Sequence, residues 1–357
     1  MDKIKVIQAG VGSWGMSWIE KILGSKSVEL AALVDVDSAL LGAAAAKYNV
    51  DKSKCFASVK DAAKTIAADA AFVIVPPHLH KAVVLEALEN NLHCLVEKPL
   101  AENIADSKIM VEAALKLEKN LMVSQNYRFK RAPQTVKSVL NRGLIGEVGC
   151  VYVNFQKDPP FTGFRTEMAE PLITDMAIHH FDQIRGILGL NPVSVHAKSW
   201  NPKWSRFKGN ACVNVTFEME NGTMVVYNGS WVSSGWQTTW DGDWRIQGHD
   251  GEIHWSNNQV VLNPKDLFVS VFQDGGIEKD GSIHFDLLQM EQEERMAVID
   301  EFALSIQEKR EPKTSGADNL YSLAMVIGAK YSAKTGGTVQ IEDVLNPVFH
   351  EKFAALE

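Results

Sequence analysis

The sequence predicts an α/β fold: an N-terminal doubly wound parallel sheet, then an α+β domain on a large open, mainly antiparallel sheet. Three observations predict it. Short apolar, β-branched runs alternate with helical patterns through residue 126. After that the rhythm changes to a succession of strand-like segments. Two long helical stretches, at about 287–309 and 317–334, close the chain. The expected domains are 1–126 and 127–357, with the closing helices candidates to pack back on the first domain.

Each element has its own signal. IKVIQAG (4–10) is a strand ending at Gly, and a helical pattern follows at about 14–24. ELAALVDVD (29–37) is the next strand, followed by an Ala-rich helix at about 38–48. AAFVIVPP (70–77) is a buried-type strand stopped by two prolines, with a helix at about 79–90. HCLVEKPL (93–100) and LMVSQN (121–126) are strands around a helix at about 103–119. Ligands on such sheets gather at the carboxyl ends of the strands. Pro76-Pro77-His78, Glu97-Lys98-Pro99 and Asn126-Tyr127-Arg128 fall there.

In the second part a helix is expected at 131–141 and a strand at 148–156, followed by a helix over ITDMAIHHFDQ (173–183). CVNVTFEME (212–220) and TMVVYNGSW (223–231), joined by Asn221-Gly222, read as a β-hairpin. Short strands continue to about 272. Helices would cover one face of this sheet. The other face needs a cover, so a homo-oligomer, dimer or tetramer, is expected.

Composition narrows the function. At 357 residues, 46% hydrophobic and 22% charged, the chain reads as a soluble globular protein. A net charge of −8 argues against nucleic-acid or anionic-membrane surfaces. No secretory leader or apolar membrane span is evident. Cys55, Cys94, Cys150 and Cys212 stand far apart, as reduced thiols in a cytoplasmic protein would.

Gly10-Val11-Gly12-Ser13-Trp14-Gly15 is a GxGxxG between a strand and a helix, and Asp35 ends the next strand 20 positions beyond Gly15. Alone the glycines say little; in this order they form a dinucleotide-binding fingerprint. The helix N-terminus would hold a pyrophosphate, and Asp35 would accept from ribose hydroxyls. A carboxylate there repels a 2′-phosphate, so NAD is favoured over NADP.

The 173–183 stretch is less decisive. At 100° per residue, Ala177, Phe181, Ile184 and Leu188 form a core stripe, with Asp175, His179 and Asp182 opposite. From the helix alone that polar stripe reads as a solvated face. His180 points about 100° from His179, as a partly buried histidine or a substrate contact. A metal is disfavoured, because no third ligand with suitable spacing accompanies Asp175 and His179.

GVGSWG (10–15), LVDVD (33–37), PPHLH (76–80), EKPL (97–100), NYRF (126–129) and DMAIHH (175–180) together resemble the Gfo/Idh/MocA family of NAD(P)-dependent sugar and cyclitol oxidoreductases. The resemblance implies a Rossmann domain, an open-sheet domain, and a sugar or cyclitol substrate. It puts the catalytic lysine on Lys98 and the catalytic Asp and His on Asp175 and His179. The dinucleotide loop falls on Gly10 to Gly15, including Gly12, Ser13 and Trp14, and the ribose acid on Asp35. Pro76, His80, Glu97 and Arg128 match positions lining the cofactor or its junction with substrate. The segment Glu170 to Thr174 lacks the Gly-Gly run that many members carry, and Ala177 stands where many have Gly.

These residues fit alcohol oxidation. A neutral imidazole suits general-base work near pH 7, so His179 is the expected base. Asp175, one turn earlier, would orient it. Lys98 would donate to the reacting oxygen and favour a developing alkoxide. The plainer alternative for Lys98 is a surface ion pair with Glu97. Trp231, Trp236, Trp240, Trp244 and Trp255 suggest either sheet packing or stacking on a sugar or aglycone; Trp236 and Trp240 lie in loop-like sequence. Phe161, Arg165 and His180 are further substrate candidates. The expected activity is an NAD-dependent dehydrogenase of a secondary hydroxyl, giving a keto-sugar. The alternatives are an oxidoreductase that retains and recycles its cofactor, and a non-catalytic dinucleotide sensor.

Overall fold

The computed structural model describes residues 3–265, 275–277 and 281–349. The chain forms two compact units, one of residues 1–126 with 292–323, the other of 127–291 with the residues from 324 onward.

The first unit carries a six-stranded parallel sheet in the order β3-β2-β1-β4-β5-β6. Its strands are β1 (Ile4–Ala9), β2 (Val28–Val34), β3 (Cys55–Phe56), β4 (Ala70–Val73), β5 (His93–Val96) and β6 (Leu121–Val123). The order runs outward in both directions from the β1/β4 pair, which makes the loop after β1 a topological switch point. The helices between strands are α1 (Ser13–Gly24), α2 (Ser38–Tyr48), α3 (Val59–Thr65), α4 (His80–Glu89) and α5 (Ile104–Lys116). Ile7, Val73 and Val96 share a core with Ala87 and Leu88 of α4 and Met110 of α5. Leu33 packs with Ile19 of α1 and Leu41 of α2. Both sheet faces are thus buried, which is why these strands read as continuous apolar runs. Two later helices, α9 (Glu294–Gln307) and the first part of α10 (Gly316–Thr335), belong to this unit. Phe302 of α9 meets Phe72 edge-on at 5.7 Å, and Phe72 meets Trp18 at 5.9 Å.

The second unit holds a ten-stranded sheet in the order β14-β15-β13-β12-β11-β7-β10-β9-β8-β16. It contains α6 (Arg131–Asn141), β7 (Val148–Gln156), α7 (Phe164–Glu167), α8 (Ile178–Leu188), β8 (Pro192–Trp200), β9 (Cys212–Met219) and β10 (Met224–Ser230). Then come β11 (Asp243–Gly248), β12 (Gly251–Ser256), β13 (Gln259–Pro264), β14 (Gly275–Ile277), β15 (Ile283–Phe285), β16 (Val339–Gln340) and α11 (Ile341–Leu345). Pairing is antiparallel except between β7 and β10. The β9/β10 hairpin turns at Asn221-Gly222, where Gly222 takes φ of 85°. Val153, Val215, Phe217 and Tyr227 point to the buried face, where Phe181 of α8 meets Phe217 at 4.8 Å and Tyr227 at 5.3 Å. The alternate residues Asn154, Asn214 and Asn228 form an amide ladder on the other face.

The fold class stands as the sequence predicts. Eight elements went unread: β3, α3, the one-turn α7, β8, β14, β15, β16 and α11. The helix expected from 287 begins at Glu294, and of the stretch of short strands expected to about 272, residues 266–272 lie outside the described residues. The segment read as one helix from 173 starts instead with a π turn, Leu172–Ala177, and becomes α-helical at Ile178. No helix among the described residues is long and apolar enough to cross a membrane.

Candidate active site

In the first unit the glycine loop is built from three different glycines. Gly10 has φ of +95°, and a Cβ there would lie 2.3 Å from the Ile74 carbonyl oxygen. A Cβ on Gly15 would lie 2.3 Å from the Gly10 oxygen. Gly12 faces open space, with nothing within 4 Å of its would-be Cβ. Gly12 also caps α1, and no side chain accepts from that helix's first turn. The loop therefore offers backbone N–H groups under an open cradle, which fits a pyrophosphate. Gln8, fully buried in β1, was not foreseen: its Nε2 donates to the carbonyls of Gly10 and Gly15, both at 2.9 Å, and ties the loop's ends together. Ser13 and Trp14 are exposed in the first turn of α1. Asp35 accepts from Val11 N at 2.8 Å and Asp37 N at 3.0 Å. A carboxylate has lone pairs for further donors, so Asp35 can still take ribose hydroxyls.

Pro76 is exposed just past β4. His80 differs from the expectation of a cofactor-lining group. It is fully buried, with Nδ1 2.9 Å from Pro99 O and Nε2 2.9 Å from Val75 O. It fastens the β4 loop to the turn after Lys98. Burial pulls its pKa down, against the pull of those carbonyls. Glu97 is held by three donors. Its Oε1 accepts from the indoles of Trp14 and Trp18, each at 2.8 Å, and its Oε2 from Lys98 N at 3.0 Å. The expected surface ion pair between Glu97 and the Lys98 ammonium is thus replaced by bonds to indoles. Lys98 itself is half-buried at the end of β5.

In the second unit the polar stripe of the 173–183 segment is not solvated. His179, His180 and Asp182 are all buried. Arg128 holds Asp182 through two bonds, Nε to Oδ2 at 2.5 Å and Nη2 to Oδ1 at 2.8 Å. Arg128 thereby anchors the helix that carries Asp182; Gly186 leaves room for it, since a Cβ there would lie 2.9 Å from Arg128 Cδ. His180 is a buried histidine with both ring nitrogens engaged, the first of the two readings the sequence left open: Nδ1 lies 3.0 Å from Tyr227 Oη and Nε2 2.9 Å from Trp240 O. A neutral imidazole satisfies both, donating from Nε2 to the carbonyl and accepting from the Tyr227 hydroxyl.

The His180 environment has a measurable consequence. Burial, the larger cause, pulls its pKa to about 4, against the Trp240 carbonyl. An unfolded chain takes up that proton near pH ~6.5. The His180 contribution is therefore full above that pH and is lost as pH falls toward 4. Between pH 7 and 5 it should cost about 2 kcal/mol. Urea unfolding at both pH values should show this drop, and His180→Phe should remove that share of it; an unchanged pH difference would contradict the assignment.

His179 stacks on Tyr127 with centroids 4.4 Å apart. Lys130 lies 3.9 Å from the Tyr127 ring centre and pairs with Asp241 at 2.9 Å. Asp175, in the π turn, pairs with Arg165 Nε at 2.6 Å. Arg165 also sits over Phe161 and Phe164. π turns recur at functional sites because they re-aim a side chain that a regular helix would leave elsewhere. Trp231, Trp244 and Trp255 are buried packing residues, whereas Trp240 is partly exposed and Trp236 is 98% exposed. Among the described residues no group of three His, Cys, Asp or Glu is placed to hold a metal ion. Lys130, Tyr227 and Trp18 went unread because they act on residues far away in sequence, and the stacking of Tyr127 on His179 was unread for the same reason.

Residues 4–125 match the family model of an oxidoreductase family with an NAD-binding Rossmann fold. Residues 134–254 match the GFO/IDH/MocA C-terminal domain. The chain belongs to the Gfo/Idh/MocA family. Within it, the chain is 29% identical over 280 residues to inositol 2-dehydrogenase of Corynebacterium glutamicum, covering 75% of this chain and 81% of that one. It is 26% identical to D-apiose dehydrogenase of Rhizobium rhizogenes, covering 97% and 99%. The fold is also that of an Agrobacterium radiobacter oxidoreductase crystallised with NAD+, L-tartaric acid and magnesium, with TM-score 0.83, 22% identity and coverage of 96% and 99%. This Gfo/Idh/MocA protein is thus an NAD(P)-binding oxidoreductase.

Proposed function

We propose that the protein is an NAD-dependent dehydrogenase that oxidises a secondary hydroxyl of a sugar, cyclitol or glycoside to a ketone. The observation that carries this reading is the open cradle at Gly12 above the uncapped start of α1, with Asp35 at the end of β2. Bound NAD would supply a hydride acceptor. Gly10 to Gly15 would hold its pyrophosphate, and Asp35 its adenosine ribose, which favours NAD over NADP. His179 takes the hydroxyl proton at its ring, and the stacked Tyr127 fixes the plane of that ring. Lys98 donates to the reacting oxygen. Asp175 is held by Arg165 and serves to orient the site. We assign the cytoplasm as its compartment and a homo-oligomer as its assembly, with the amide-bearing sheet face as the contact.

The test is absorbance at 340 nm with NAD or NADP and a panel of inositols, hexoses, hexonates and glycosides. Steady reduction with one class supports the reading. If none reduces either nucleotide, and denatured protein releases no nucleotide, the reading fails. Released nucleotide without steady reduction would favour the recycling alternative. Trp236→Ala should raise KM about tenfold if that indole stacks on substrate. A changed oligomer with unchanged KM would place Trp236 at a subunit contact instead.

A further inference from the structure

The residue after His179 ties the candidate base to an aromatic ledge. His180 Nε2 meets the Trp240 carbonyl at 2.9 Å, and Phe155 packs 4.8 Å from the His180 ring and 6.1 Å from Trp240. The Trp240 side chain itself is 39% exposed. Phe161 lies 6.5 Å from it, tilted by 35°, and stands edge-on to the buried Trp231 at 5.1 Å. Phe164, in α7, is 64% exposed. Arg165 joins the two phenylalanines, 5.0 Å from the Phe161 ring centre and 4.7 Å from that of Phe164. A single exposed ring needs no explanation; a gathered apolar surface beside a candidate site marks a place for a ligand.

The two loops that carry these rings are fixed to each other through the backbone. Lys157 N donates to Ser230 O at 2.9 Å, Ser233 N to Lys157 O at 3.1 Å, and Thr238 N to Gln156 O at 2.9 Å. A ligand would therefore meet rings already in place, which lowers the ordering cost of binding. The charged groups against the rings are both cations: Arg165, and Lys157 at 5.5 Å from the Trp240 ring centre. They donate hydrogen bonds and accept none, so they would serve only half of what sugar hydroxyls require. An electron-rich aryl ring suits both parts of the ledge. It packs on the aromatic side chains, and its π electrons attract the cations.

We propose that the site takes an aryl glycoside, with the sugar at His179 and the aryl aglycone on Trp240, Phe161 and Phe164. This rests on the reading of His179 as the base, and it deepens that reading by naming the substrate class.

The test is calorimetric titration of the protein loaded with NADH, which leaves no oxidised nucleotide to consume the ligand. The ligands are paired phenyl and methyl β-D-glycosides of glucose, galactose and xylose. In at least one pair the phenyl glycoside should bind about tenfold more tightly than the methyl glycoside. Trp240→Leu keeps the carbonyl that His180 uses, and it should bring that ratio to within about twofold. Phe164→Leu, at the more exposed ring, should lower the ratio in the same direction, and it decides the matter if Trp240→Leu does not fold. Pairs that bind alike, or no binding by any of the glycosides, would overturn the proposal. So would a phenyl preference that both variants retain. A Trp240→Leu protein of changed oligomeric size with the preference intact would make the ledge a subunit contact and overturn it as well. Turnover is not read in this titration. A phenyl preference that the variants lose, with no nucleotide reduced by the same glycosides, would keep the aryl site and count against the dehydrogenase reading alone.

Discussion

Lys98→Ala is expected to lower turnover about 100- to 1,000-fold while NAD affinity stays within a few fold. The ammonium is assigned to the reacting oxygen, where charge develops as the proton leaves. Such a donor acts mainly in the transition state, so its loss falls on kcat rather than on binding. The surroundings of Lys98 support that assignment. Glu97 is bound by two indoles, and His80 anchors Pro99 immediately beyond. Steady-state kinetics beside calorimetric titration of NAD checks both halves. Near-normal turnover would remove Lys98 from the mechanism.

The second large effect separates two glycines only two positions apart. Gly12→Ala should leave stability within about 0.5 kcal/mol, because its Cβ meets nothing within 4 Å. The same methyl would stand in the cradle, so NAD affinity should fall at least about tenfold. Gly10→Ala should do the reverse. Its φ is +95°, and the new Cβ would sit 2.3 Å from Ile74 O. It should cost at least about 2 kcal/mol of stability before any ligand is added. Thermal unfolding and calorimetry on both proteins check the contrast. Equal NAD affinity in Gly12→Ala and wild type would mean that the open space is not the cofactor's.

The glycine pattern was legible because its chemistry is local. A turn, a close approach and a helix start leave a signature within six residues, and Asp35 follows at the next strand end. The alternation of strands and helices was legible for the same reason, as was the Asn221-Gly222 hairpin. The shortest elements were not: β3 has two residues and α3 seven, too few to show a period. Helical spacing put Asp175, His179 and Asp182 on one polar face, and it gave no sign that His179 and Asp182 are buried. That depends on Arg128, 54 positions before Asp182, and on Tyr127 beside His179. His180 is satisfied by Tyr227 and Trp240, 47 and 60 positions away. The π turn at 172–177 has no composition signal, because it is a choice of backbone partner rather than of side chain. Glu97 shows the same limit. Its neighbour in sequence is Lys98, but its side-chain partners come from α1, 79 and 83 positions earlier.

The most direct measurement follows the hydride itself. A substrate from the reactive class, deuterated at its carbinol carbon, is incubated with protein and NAD; the protein is then denatured and the nucleotide weighed by mass spectrometry. The account predicts reduced nucleotide carrying one deuterium, free in solution or held by the protein, and little of it from Lys98→Ala. Reduced nucleotide without deuterium, or a ketone formed while the nucleotide stays unlabelled, would contradict hydride transfer from the carbinol carbon.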